Sequence, residues 1–109
     1  MLLKVLSSQN EILMLAILAI GKNAYGVSIR RYVSQVTGKE WSIGAIYDPL
    51  YRLERKGFVK SLLTGSTNER GGRSKRMFQV TRNGQKALAE HKRVRDELWN
   101  GLSDLATQE

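Results

Sequence analysis

Six cations stand between positions 70 and 86: Arg70, Arg73, Lys75, Arg76, Arg82 and Lys86, with no acid among them. Gly71 and Gly72 sit inside the first pair, so the backbone there can turn tightly and approach a ligand without side-chain interference. Guanidinium forks flanking such a turn suit phosphate, or the narrow minor groove of a duplex. A second constellation occupies residues 42–59, SIGAIYDPLYRLERKGFV. Ile43, Ile46, Leu50 and Leu53 recur at i, i+3, i+7 and i+10, which predicts a helix with one buried stripe. Ser42 is a good N-cap for it. Rotation by about 100° per residue from that stripe places Gly44, Ala45, Asp48, Tyr51, Arg52 and Arg55 on the far side. Small residues at its start let such a helix lie deep in a major groove. Tyr47 and Tyr51 can donate to phosphates there, and Arg52 can reach a guanine edge or a phosphate. Tyr47 has a second reading, as an edge of the core. Pro49 either restarts the helix under an Asp48 cap or sits inside one kinked helix. The unbroken phase of the stripe favours the second.

The remaining chemistry is sparse. The chain has 109 residues, with 18 Lys and Arg against 10 Asp and Glu, a net charge of +8 that favours polyanionic partners. With no cysteine, disulfides, thiolate zinc sites and cysteine nucleophiles are excluded. The single histidine, His91, cannot form a metal site alone, and no nucleophile–base–carboxylate set is visible. Glu90, Asp96 and Glu97 lie among Lys92, Arg93 and Arg95 on an apolar-striped helix, so neither an enzyme nor a cofactor is expected. Lys4 followed by the apolar run ILMLAILAI has some likeness to a signal peptide. The run is shorter than the roughly 18 residues of a spanning helix. Polar SSQNE precedes it and no small-residue cleavage site follows, so the expectation is a buried core helix in a cytoplasmic protein without a membrane partner.

The elements that must carry these groups follow closely in sequence. The first helix is expected to start near Ser8, with Glu11 as capping-box partner, and to be buried on most sides from residue 12 to residue 20. Gly21 ends it. A second helix over about residues 25–37 puts Ile29, Tyr32 or Val33, and Val36 on one face and Arg30 and Arg31 on the other. Gly38 follows as a left-handed cap, and Trp41 packs back on this helix. After the 42–55 helix, FVKSLL and SKRMFQVT alternate as two strands of a hairpin joined by a long, turn-rich loop. A fourth helix runs from the cap Thr81 to about residue 106. Its seam of Ala87 or Leu88, His91, Val94, Leu98, Leu102 and Leu105 approximates a heptad repeat. Two helices joined by a short turn and followed by a hairpin form a winged helix-turn-helix, a mainly α (α+β) fold. The expected division is residues 1–80 as the DNA-binding unit and 81–109 as a dimerisation helix packed on it.

Two stretches, GAIYDPLYRLERKGFV and TNERGGRSKRMFQVTRNGQKAL, together with ILMLAILAIGKNAYG, resemble the PadR family of bacterial winged-helix transcription regulators. The likeness covers about residues 11–88. It implies a regulator of neighbouring genes, usually a repressor, that binds double-stranded DNA as a homodimer and in some members is released by a small molecule. The implied DNA-binding set is Tyr25, Ser42, Gly44, Ala45, Tyr47, Asp48, Tyr51, Arg52, Arg70, Gly71, Gly72, Arg73, Lys75 and Arg76. The implied dimer interface is Leu13, Ile17, Leu88, His91, Val94, Leu98, Leu102 and Leu105. Trp99 either packs in that interface or lines a cavity for a flat aromatic effector. The chain departs from the family where Asp48 separates Tyr47 from Pro49, which leaves base selection at that position open. The alternative reading is a winged-helix protein-interaction module that binds DNA only non-specifically. Such a surface should be depleted of charge at its centre, and arginine and lysine dominate here.

Overall fold

The computed structural model describes residues 6–64 and 74–102. The chain runs α1 (Ser8–Ile20), a 3-10 turn (Gly21–Asn23), α2 (Gly26–Thr37), α3 (Ile43–Arg55), β1 (Val59–Leu63), β2 (Arg76–Val80) and α4 (Arg82–Asn100). The strands pair antiparallel with Val59 opposite Val80 and Leu63 opposite Arg76. Residues 24–25 add a short third edge: the Phe78 N–H donates to the Ala24 carbonyl at 2.8 Å, and Tyr25 bridges to Met77. Helix, helix-turn-helix, hairpin and helix therefore follow one another as expected.

Alternation decides which side of the hairpin is buried. Val59, Phe78 and Val80 face the core, together with Leu13, Met14, Ile17, Ile29, Val33, Ile46, Leu50 and Leu53. On α3 the buried Ile46, Leu50 and Leu53 explain why a proline survives inside the helix. Each such side chain contributes about 1.5–3 kcal/mol, against about 3 kcal/mol for an interior proline. Part of that cost is also offset locally. Pro49 has no N–H for the carbonyl of Ala45, and Gln9 Nε2 from α1 reaches that oxygen at 3.4 Å. Pro49 sits inside one continuous helix, as the stripe's phase predicts.

Several sequence expectations are corrected. Ser7, not Ser8, caps α1, accepting the Asn10 N–H at 3.0 Å, and Glu11 does not close a capping box; its carboxylate reaches α4 instead. The helix is not buried all round, since Leu15 and Leu18 are nearly half exposed. Ile43 and Val36 are also exposed, because each lies at the end of its helix, beyond the shared core. Helix α4 is described from Arg82 to Asn100, with a turn at residues 101–102; its expected continuation to about residue 106 lies outside the described residues. Other expectations hold. Gly38 adopts φ 72° as the α2 cap, and Trp41 donates its indole N–H to Thr37 Oγ1 at 3.0 Å while its carbonyl accepts Arg30 Nε at 2.6 Å.

Candidate nucleic-acid interface

The outer face of α3 is built by the same periodicity that buries its inner face. Ser42 caps the helix, its hydroxyl oxygen accepting the Ala45 N–H at 3.1 Å, which leaves its own proton free to donate outward. Gly44, Asp48, Tyr51, Arg52 and Arg55 are exposed along one side, and Ala45 is half-buried beside them. A side chain at Gly44 would meet nothing nearer than Asp48 Oδ2 at 3.8 Å, so the chain's own packing does not demand glycine there. Asp48, Arg52 and Arg55 have no ion pair among the described residues.

The tyrosines divide. Tyr51 keeps more than a third of its surface exposed and stacks on Tyr47 at 5.8 Å, and both rings lie 6.3 Å from Phe78. Tyr47 packs on the core edge, and its hydroxyl lies where a Cβ on Gly26 would be, 2.0 Å away. The Tyr-Gly pair at positions 25 and 26 thus has a packing reason: only glycine lets α2 approach the Tyr47 ring. Tyr25, at the start of α2, carries Lys75 Nζ over its ring at 4.3 Å, a cation–π contact that ties the hairpin's outer face to the helix-turn-helix.

Arg76 is engaged inside the protein. Its Nη1 donates to Ser61 Oγ at 3.0 Å, and the Ser61 hydroxyl donates to Glu54 Oε2 at 2.6 Å. A half-buried chain therefore links the last turn of α3 to both strands and sets the angle of the hairpin against the helix. Glu54 and Ser61 were not legible as partners, since hydroxyl and carboxylate come together only through the α3–β1 turn at Gly57, φ 81°. Ser61→Ala is expected to lower unfolding free energy by about 1 kcal/mol, a typical hydrogen-bond loss. Urea denaturation checks it, and an unchanged midpoint would show that the bridge does not hold the wing. Of the remaining wing residues, Arg70, Gly71, Gly72 and Arg73 lie outside the described residues, as does Leu105 on the expected seam.

Of the expected dimer set, Leu13 and Ile17 are at most 2% exposed in the chain's own core, and Leu88 and His91 are buried against it at 8%. His91 and Arg95 meet Glu11 of α1. Arg95 Nη1 donates to Glu11 Oε1 at 2.8 Å, and His91 Nε2 lies 3.6 Å from Glu11 Oε2. Val94 is half-buried, while Leu98, Trp99 and Leu102 are exposed at the far end of α4. Among the described residues there is no group of three metal-ligating side chains and no helix long and apolar enough to cross a membrane.

The arrangement is shared with solved structures. A PadR-like transcriptional regulator from Bacillus cereus is 21% identical with a TM-score of 0.70, covering 91% of this chain and 92% of that one. A PadR-like transcription factor from Bacteroides fragilis is 20% identical with a TM-score of 0.69, over 89% of this chain and 87% of that one. A PadR family regulator from Clostridium difficile is 25% identical with a TM-score of 0.60, over 93% and 97%. A search of the curated proteins gives no match. The model of the Transcriptional regulator PadR-like family matches residues 14–90, from the buried face of α1 through the helix-turn-helix and hairpin into α4, and the chain belongs to that family.

Proposed function

We propose that this chain is a sequence-specific DNA-binding transcription regulator, acting as a repressor and as a homodimer on a pseudo-palindromic operator. The observation that carries this reading is the outer face of α3. Gly44, Asp48, Tyr51, Arg52 and Arg55 are exposed there without an ion-pair partner, on a helix whose other side is locked into the core. Phosphates and base edges complement such a face. Ser42 and Tyr51 donate to the backbone, Arg52 reads a guanine edge or a phosphate, and Asp48 selects a cytosine amino group. Arg70, Gly71, Gly72 and Arg73 carry the wing across the adjacent groove. Lys75 and Arg76 act from the loop end of the hairpin, held by Tyr25 and Ser61. The two recognition helices of a dimer would enter successive major grooves about 34 Å apart. A flat apolar effector lodged between the two Trp99 indoles would release the DNA. Trp99 is 65% exposed in the single chain, as such a site requires before the partner arrives.

The test is fluorescence anisotropy with a labelled fragment from the gene's own upstream region, in excess random-sequence competitor at physiological salt. The reading requires at least about a thousandfold preference for the operator. Binding abolished by competitor would favour the interaction module instead. Gly44→Ala gives a sharper internal check. Replacing this first-turn glycine should raise unfolding free energy by up to about 0.5–1 kcal/mol, because the new methyl meets nothing nearer than Asp48 Oδ2 at 3.8 Å, an ordinary contact. The same methyl stands between α3 and the groove floor, so operator affinity is expected to fall by about tenfold, one good contact's worth. A variant that gains stability and keeps full affinity would remove α3 from the interface.

A further inference from the structure

At the root of the hairpin lies a groove of about 350 Å³ that none of the functions above uses. It is bounded by the end of α1, the 3-10 turn, the hairpin and the first residue of α4. Its apolar lining includes Ile17, Leu18 and Val80, and its cationic lining is Lys22, Lys60 and Arg82. No acid lines it, and none of these three cations has an ion pair or hydrogen bond among the described residues. The first amides of α4 are already served by Thr81, whose hydroxyl oxygen accepts the Gly84 N–H at 3.0 Å, so the site rests on side chains and shape.

No residue of the recognition helix lines this groove, which draws Phe78 and Val80 from one face of the hairpin and Lys60 and Gln79 from the other. Ser61 and Arg76 point to the hairpin face that bonds Glu54 of α3. Lys60 and its register partner Gln79 point to the opposite face. The cations here are therefore not extensions of the α3 surface. Like charges gathered around one concavity with no acid repel one another, and an anion seated among them removes that repulsion. A nucleic-acid backbone would use the cations but leave the apolar atoms unused. A ligand with both an anionic head and an apolar body uses both, and the volume lies at the small end of the roughly 300–1,000 Å³ of ligand sites.

We propose that this groove binds a small amphiphilic anion, its carboxylate or phosphate head held by Lys22, Lys60 and Arg82 and its apolar body lying on Ile17, Leu18 and Val80. The site touches α1, the hairpin and α4 together, so its occupant bears on the angle between the wing and α4. It stands whether or not the chain binds DNA.

The experiment uses the full chain, methyl-labelled, titrated with octanoate at moderate salt and followed by NMR. Octanoate is expected to shift the Ile17 and Val80 methyls in a saturable manner. Octanol, which lacks the charge, and acetate, which lacks the body, should each bind about tenfold or more weakly. The triple variant Lys22→Gln, Lys60→Gln, Arg82→Gln should lose about tenfold in octanoate affinity, the summed effect of exposed charge contacts. Its thermal midpoint should stay put, because all three side chains are exposed. Saturable shifts confined to the Leu98 and Leu102 methyls, or equal octanoate binding by the triple variant, would overturn the site. So would displacement of octanoate by random duplex DNA, which would return these cations to the nucleic-acid surface. Loss of operator binding with octanoate binding intact would sink the regulator reading alone.

Discussion

Gly84→Ala is expected to destabilise the fold by about 3 kcal/mol, the upper part of the range for forcing a methyl into a packed site. Gly84 is in the first turn of α4, and helix propensity alone favours alanine there by about 1 kcal/mol. Space decides the sign. A Cβ at this position would stand 2.1 Å from the Phe58 carbonyl oxygen and 2.8 Å from Val80 Cγ1. The carbonyl cannot swing away, because it accepts the Thr81 N–H at 3.0 Å while the Phe58 N–H donates to Leu53 at 3.0 Å. Thr81 is pinned in turn, its hydroxyl donating to the Gly57 carbonyl at 2.6 Å. Relief therefore requires α4 to separate from the hairpin, which also exposes Val80 and Leu88. Native domains hold only about 5–15 kcal/mol in total, so the loss should lower the urea midpoint and the thermal midpoint sharply. A midpoint equal to the parent's would mean that the α4–hairpin junction is looser than the structure has it. Gly44→Ala, in the first turn of α3 with nothing nearer than Asp48 Oδ2 at 3.8 Å, should move stability the other way, so the pair separates packing from propensity.

Neither glycine could be told from the other in the sequence. Both lie near the start of a predicted helix, and only the chain crossing at Phe58 makes one of them necessary. What local pattern carries was legible. The stripe of Ile46, Leu50 and Leu53 set the orientation of α3 and, with it, the outward face of Gly44, Asp48, Tyr51 and Arg52. The alternation of Met77 and Gln79 against Phe78 and Val80 set the hairpin's inner face. Helix α1 was harder because its residues are apolar on every side. No polar marker told Leu13 and Ile17, which enter the core, from Leu15 and Leu18, which do not. For that reason two residues expected at a partner interface, Leu13 and Ile17, are ones that the chain's own core buries. The ties that hold the site lay beyond any local window: Glu11 to Arg95 spans 84 positions, and Arg76 to Ser61 spans 15. A capping-box reading of Glu11 was reasonable by spacing, but Ser7 takes the cap and frees the carboxylate for α4.

Leu98→Asp is expected to convert the proposed homodimer to a monomer and to reduce operator affinity by about a hundredfold or more, the usual value of tying two binding units together. The prediction rests on how α4 is divided. Its first half is fixed by Leu88, His91 and Arg95 against α1. From Asp96 to Asn100 every residue is exposed, including Leu98 at 67% and Trp99 at 65%, and Leu102 follows at 46%. Most helical stability in proteins comes from packing an apolar face, which these exposed side chains do not have within the single chain. The ion pairs along it, Arg93 with Glu90 and Glu97 and Lys92 with Asp96, add only about 0.3–0.5 kcal/mol each. Those pairs keep the solvent side helical but do nothing for two leucines and a tryptophan left in water. A second copy presenting the same strip would bury all of them twice over, and Leu15 and Leu18 extend the apolar surface on α1. Because Leu98 supports nothing inside its own chain, the aspartate should leave the monomer folded, with unchanged far-ultraviolet circular dichroism. Sedimentation equilibrium reads the mass directly. A variant that still sediments at twice the chain mass would move the interface off this strip. One that becomes monomeric yet keeps full operator affinity would show that each chain reads DNA alone. Leu13→Asp is the contrast: placed in the interface by sequence and in the core by structure, it should unfold the chain.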